Sequence, residues 1–257
     1  MRQRQQKIVE YVEKVGIVSL SELASLFGVS TFTIRRDIDY LSQARLVAKV
    51  KGGAQRIETP SKFREARLPN RMQINVTEKE KIAQKGLEFI RPGDTIFLDG
   101  SSTITCFARV IAQCCHHITV VTNSILVSLE LSEASDIRLV GLGGILDQET
   151  FSFIGFDSGS TAQSFYVDKA FLSCAGFIPE EGVFDNAAFN RATKQMVAQR
   201  AAQVFLLIDA SKFGSHALNR VLSTEQINVL ITDSISSEYR QILADNNPDM
   251  SIVTVNN

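Results

Sequence analysis

Near the start of the chain, apolar positions recur at helical spacing. Ile8, Val12 and Val15 make one stripe that stops at Gly16. Ser19-Leu20-Ser21-Glu22 has the spacing of a capping box and opens a second helix through Leu23, Ala24, Leu26 and Phe27, broken at Gly28. Ile34, Ile38 and Leu41 form the buried stripe of a third helix, with Ser30 at its N-cap position. Leu46 to Ala54 then reads as two short extended pieces about the Gly52-Gly53 turn. Residues 58–76 are polar and basic, contain Pro60 and Pro69, and show no sustained period; they read as a linker between domains at 1–57 and 77–257. Beyond them Thr77-Glu78-Lys79-Glu80 opens a helix through Ile82, Ala83, Leu87 and Ile90. Short apolar runs follow at Ile96–Leu98, Ile118–Val121, Ile137–Val140, Ala170–Leu172, Val204–Ile208, Val229–Ile231 and Ile252-Val253, with helical patterns such as Ile104–Ile111 and Ile125–Leu131 between many of them. Strands that are apolar throughout and alternate with helices predict an α/β domain on a largely parallel sheet.

Charge separates the two halves. Residues 1–57 hold 10 Lys/Arg against 5 Asp/Glu, or +5, whereas the remainder holds 17 against 23, or −6, which together give the net −1. Only the first part suits a polyanion, and its modest excess suits a dimer on two half-sites better than a monomer. The 4 cysteines lie in or beside apolar segments without a secreted-domain framework, which implies reduced thiols in the cytoplasm. Cys114-Cys115-His116-His117 concentrates metal-binding residue types, but adjacent side chains diverge and zinc sites usually draw on separated segments, so neither a metal nor a cofactor is expected. No apolar run is long enough for a membrane span.

The third helix carries the first candidate chemistry. With Ile34, Ile38 and Leu41 inward, Phe32 and Arg36 point outward, flanked by Thr33, Arg35 and Tyr40, with Ser30 and Thr31 at the leading end. Guanidinium groups, hydroxyls and an aromatic ring match the groups that duplex DNA offers in its major groove. Two helices about a Gly-containing turn form a helix-turn-helix, and the Gly-Gly turn reads as a wing whose Lys49 and Lys51 meet phosphates.

The second candidate lies past the ends of the apolar runs, where parallel sheets bind ligands. Asp99-Gly100-Ser101-Ser102-Thr103 and Thr122-Asn123-Ser124 each lead into a helix and offer backbone N–H groups to an anion. Gly143-Gly144 permits close backbone approach, and Lys212 supplies a point charge.

Gly28-Val29-Ser30 with Thr33-Ile34-Arg35-Arg36-Asp37-Ile38, followed by Lys51-Gly52-Gly53-Ala54, resembles the DNA-binding end of the DeoR family of bacterial sugar-operon repressors. The resemblance continues through most of the chain. It implies a sensor domain with a sheet similar to that of ribose-phosphate isomerases, binding a phosphorylated sugar or sugar alcohol through Asp99 to Thr103, Thr122 to Ser124, Gly143, Gly144, Asp168 and Lys212. Three departures from the family's usual pattern are Lys51 in place of His, a loop in which the glycine is Gly100 and its usual place is Ser101, and Asn190 where many members carry an acidic residue near the helix that leads to Lys194. The function expected is that of a homo-oligomeric repressor, dimer or tetramer, released from its DNA operator by the sugar phosphate. The alternative is a sugar-phosphate isomerase or transferase with an accessory DNA-binding domain.

Overall fold

A computed structural model describes residues 3–43, 46–55, 68–155, 165–186 and 188–255. The chain divides into two compact units, Met1–Ser61 and Lys62–Asn257.

In the first unit, helix α1 (Gln3–Val15) leads through strand β1 (Ile17–Ser19) into α2 (Leu20–Phe27) and α3 (Thr31–Gln43), followed by β2 (Ala48–Val50) and β3 (Gly53–Gln55). The three strands form one antiparallel sheet in the order β1-β3-β2. The expected extended pieces are β2 and β3. The added strand β1 escaped the sequence reading because three residues are too few to show a period of two. Ser19 caps α2 by accepting from the Glu22 N–H at 3.1 Å, but the Glu22 carboxylate accepts from the Tyr11 hydroxyl instead of closing the box. Gly28 ends α2 in the left-handed conformation, φ 62°, which only glycine adopts without strain. Ile8, Val12, Val18, Leu23, Ile34, Ile38, Leu41, Val47 and Ala54 form the core beneath.

The second unit opens with α4 (Leu68–Arg71) and α5 (Val76–Gly86). Residues 58–67 of the expected linker lie outside the described residues. Its remaining part is a correction: Leu68 is fully buried and residues 68–75 belong to the second unit. The capping box expected at Thr77 is also corrected, since the N-cap of α5 is Asn75, two residues earlier, and its side chain makes no capping bond.

Strands β4 (Thr95–Leu98), β5 (Ile118–Thr122), β6 (Ile137–Gly141), β9 (Val167–Leu172), β12 (Ala201–Ile208), β14 (Val229–Thr232) and β15 (Ser251–Thr254) form a seven-stranded sheet, ordered β15-β14-β12-β9-β4-β5-β6. All its pairings are parallel. Each apolar run singled out in the sequence is one of these strands. They are apolar throughout because both faces are covered. Ile96, Leu98, Phe171, Phe205 and Leu207 face one layer, with α5, α6 (Ser102–Cys114) and α7 (Ile125–Leu131) contributing Ile82, Phe107 and Val127. Phe97, Val121, Leu172, Leu206 and Ile208 face the other, where α8 (Ala188–Ala198) contributes Val197 and α9 (Ser237–Asn246) contributes Leu243. Phe171 stacks on Phe205 at 4.6 Å between ring centroids.

Two small antiparallel additions cover the carboxyl edge. One is the hairpin β7 (Ile145–Asp147) and β8 (Ser152–Ile154); the other is β10 (Gly176–Ile178), β11 (Gly182–Asp185) and β13 (Asn219–Leu222), ordered β10-β11-β13. From β4 the chain proceeds outward through β5 and β6; from β9 it proceeds the other way through β12, β14 and β15. The connections therefore diverge between β4 and β9, and that divergence opens a crevice beyond their carboxyl ends.

Candidate functional site

On α3 the expected outward face is present. Ser30 accepts from the Thr33 N–H at 3.2 Å, and its hydroxyl lies 3.0 Å from that of Thr33, so the two hydroxyls close the helix start together. Ser30, Thr31, Phe32, Arg35, Arg36 and Tyr40 are exposed, while Thr33 is half-buried. Asp37 is turned inward at 4% exposure, where it accepts from Arg4 Nε at 2.7 Å and Gln5 Nε2 at 3.0 Å. That arrangement takes a carboxylate off the outward face and ties α3 to α1. In the wing, Lys49 pairs with Asp39 of α3, and Lys51 stands exposed at the turn before Gly52, whose φ is 85°. Gly53 is required for a different reason: a Cβ there would stand 2.1 Å from the Val18 carbonyl oxygen of β1.

In the second unit a cleft of about 370 Å³ lies at the divergence of β4 and β9. Of the residues expected to bind an anion, Asp99, Gly100, Ser101 and Asn123 line it. Asp99 follows β4 directly; its Oδ1 accepts from the Ser101 N–H at 2.8 Å, and its Oδ2 accepts from the Ser173 N–H, just past β9, at 2.9 Å. One carboxylate thus pins both strand ends. Ser101 caps α6 by accepting from the Ile104 N–H at 3.3 Å. Gly100 is dictated by contact, since a Cβ there would stand 2.1 Å from Ser152 Oγ in the hairpin above.

The remaining expected residues have other places. Ser102 and Thr103 are buried in the first turn of α6. Thr122 donates to the Leu98 carbonyl at 2.7 Å and Ser124 caps α7 by accepting from the Val127 N–H at 3.3 Å, so both serve the loop. Gly144, with φ 148°, lets β7 pass within 2.4 Å of the Ile154 carbonyl, measured to the Cβ it lacks, and Gly143 is exposed beside it. Lys212 is half-buried in the turn after β12. Asp168 is a correction: it lies at the amino end of β9, accepting from the Thr95 N–H at 2.7 Å, and is therefore at the opposite edge of the sheet from Asp99.

The sequence reading missed Arg71, Cys174, Asp185, Thr193 and Lys194, which complete the cleft lining. Lys194 extends from α8 and its Nζ donates to Asp185 of β11, to the Ser173 carbonyl and, at 3.1 Å, to Asp99 Oδ2. Burial opposes its charge, but Asp185 and Asp99 override that and hold the ammonium well above the ordinary lysine range. Burial pushes the Cys174 thiol well up, which makes it a poor nucleophile. Arg71 enters from α4, and the segment bearing it is anchored by Lys79, whose Nζ donates to the Arg71 and Ile74 carbonyls at 2.6 Å each. Asn75 donates to Asp209, just past β12, at 2.9 Å. The signal for Lys194 was its position one turn before Val197, a charge on the helix's apolar stripe.

Residues 74–234 match the family described as DeoR C terminal sensor domain, and residues 4–60 match the DeoR-like helix-turn-helix domain. The chain is 34% identical over 232 residues to the uncharacterized HTH-type transcriptional regulator YulB of Bacillus subtilis, covering 90% of this chain and 88% of that one. It is 30% identical over 233 residues to the glycerol-3-phosphate regulon repressor of Escherichia coli, covering 90% of each. Among solved structures it is similar to ribose 5-phosphate isomerase a from Methanocaldococcus jannaschii, with TM-score 0.42 and 18% identity over 54% of this chain and 55% of that one.

Proposed function

Since the chain belongs to the DeoR family of transcriptional regulators, we propose that it represses a carbohydrate-metabolism operon and that a phosphorylated sugar or sugar alcohol releases it. The observation that carries the ligand half is the cleft at the β4–β9 divergence, which joins Asp99, Ser101, Asn123, Asp185 and Lys194 to Arg71. The start of α6, with Gly100 and Ser101, and the Arg71 guanidinium suit the phosphate. Asp99 and Asp185 are braced by Lys194 and accept from sugar hydroxyls, while Asn123 supplies an amide. An ammonium fixed between two carboxylates is not a base, so the residues favour recognition over the isomerase alternative.

On the DNA side, Thr31, Phe32, Arg35 and Arg36 read the major groove, and Ser30, Thr33, Lys49 and Lys51 support them at the backbone. Two such units on a pseudo-palindromic operator require a homo-oligomer. The relation to glycerol-3-phosphate in the name of the Escherichia coli relative agrees with a phosphorylated polyol as effector class. The test is operator binding by the full chain across a panel of phosphosugars and phosphopolyols, with thermal shift as the first screen. One compound should raise the melting temperature and weaken operator binding; no change with any compound counts against the reading.

A further inference from the structure

Phe32 is 69% exposed, and no other phenylalanine whose side chain is described is exposed. Tyr40 and Tyr166 are exposed too, but each of those rings carries a hydroxyl, whereas Phe32 presents a ring with no polar group of its own, a surface suited to apolar contact. Its neighbours indicate what kind of contact. Phe32 is the second residue of α3, at the end of a recognition helix that meets base edges. Arg35 and Arg36 follow within one turn and are exposed, while Asp37 is withdrawn to Arg4 and Gln5. Guanidinium groups around a bare ring are unsuited to an apolar protein partner or a lipid interior. They suit a polyanion that carries a small apolar spot. On the floor of the major groove, that spot is the 5-methyl group of thymine.

We infer that Phe32 is a specificity-determining residue that reads a thymine through its methyl group, while Arg36 reads a guanine in the same half-site. The inference rests on the DNA contacts proposed above. Residues four apart on a helix are separated by about 6 Å along its axis, so the thymine and the guanine lie within about two base pairs of each other.

The experiment begins by selecting the best-bound duplex from a random pool with the full-length protein. Each thymine of that duplex is then replaced in turn by deoxyuridine, which deletes the methyl and keeps the pairing. Affinities are measured for the wild type and for Phe32→Ala, which leaves the fold intact because the ring is exposed. One thymine per half-site should weaken the wild type about fourfold when replaced, the factor expected for one buried methyl. Phe32→Ala should bind the thymine duplex more weakly and be indifferent to that replacement, with the two proteins converging on the uracil duplex. The inference is overturned if every replacement is neutral for the wild type, or if the penalty persists undiminished in Phe32→Ala. Failure to enrich any duplex would overturn the DNA reading beneath it as well, whereas enrichment without methyl dependence would overturn the inference alone.

Discussion

Lys194 is the residue on which the cleft's electrostatics turn. Asp99 and Asp185 are each 3% exposed, and two buried carboxylates facing one another are tolerable only with a cation between them. Lys194→Met keeps most of the length of the side chain and removes the charge, so it should destabilise the protein by about 3–5 kcal/mol, measured by urea unfolding. The pH dependence has a definite sign. The folded-state pKa of Lys194 is raised, so its contribution is fully present below the unfolded value of about 10.4 and is lost as pH climbs toward the folded one. The stability gap between wild type and Lys194→Met should therefore narrow above about pH 10.4. A gap that instead widened there would show that the three groups do not share charge as described.

At the level of elements, the hairpin β7–β8 roofs the loop after β4, and Gly100 is what lets it close. Gly100→Ala would drive a methyl to 2.1 Å from Ser152 Oγ, with Ser124 Cβ at 3.5 Å on the other side. The expected loss is about 1–3 kcal/mol. Adding Ser152→Ala removes the clashing hydroxyl and should recover much of it, so thermal unfolding of the four chains of the double-mutant cycle would reveal strong coupling. Simple additivity of the two changes would count against the contact. The same hairpin shows what the sequence could and could not reveal. The strands of the parallel sheet were legible because burial on both faces writes continuous apolar runs. The strands β1, β7, β8, β10, β11 and β13 are 3 or 4 residues long, too short to declare a period. The cleft was legible where its residues follow a strand directly, as Asp99 does. It was illegible where tertiary pairing brings in Arg71, Asp185 and Lys194 from elements distant in sequence; Asp168, which only the family resemblance put in the site, lies at the other edge of the sheet because its strand begins at Val167.

For the whole molecule, release from DNA requires that the ligand favour an arrangement the operator does not, and the coupling is reciprocal. Arg71 is the cleft residue nearest in sequence to the stretch that joins the two units. Its backbone is gripped by Lys79, a buried residue whose Nζ holds the Arg71 and Ile74 carbonyls together. Burial depresses the Lys79 pKa, partly offset by Asp209, and its two carbonyl bonds make the amine a clamp. A ligand that draws on Arg71 would then act on residues 71–74 as one piece. Lys79→Met should loosen that piece while leaving the other cleft residues in place. The wild type should show the operator weakening effector binding by the same factor as the effector weakens operator binding, roughly 5–150-fold. In Lys79→Met both binding reactions should survive separately and the factor should fall toward one, as titrations of each ligand with and without the other would record. Undiminished coupling in that variant would place the transmission elsewhere than in the segment that Lys79 holds.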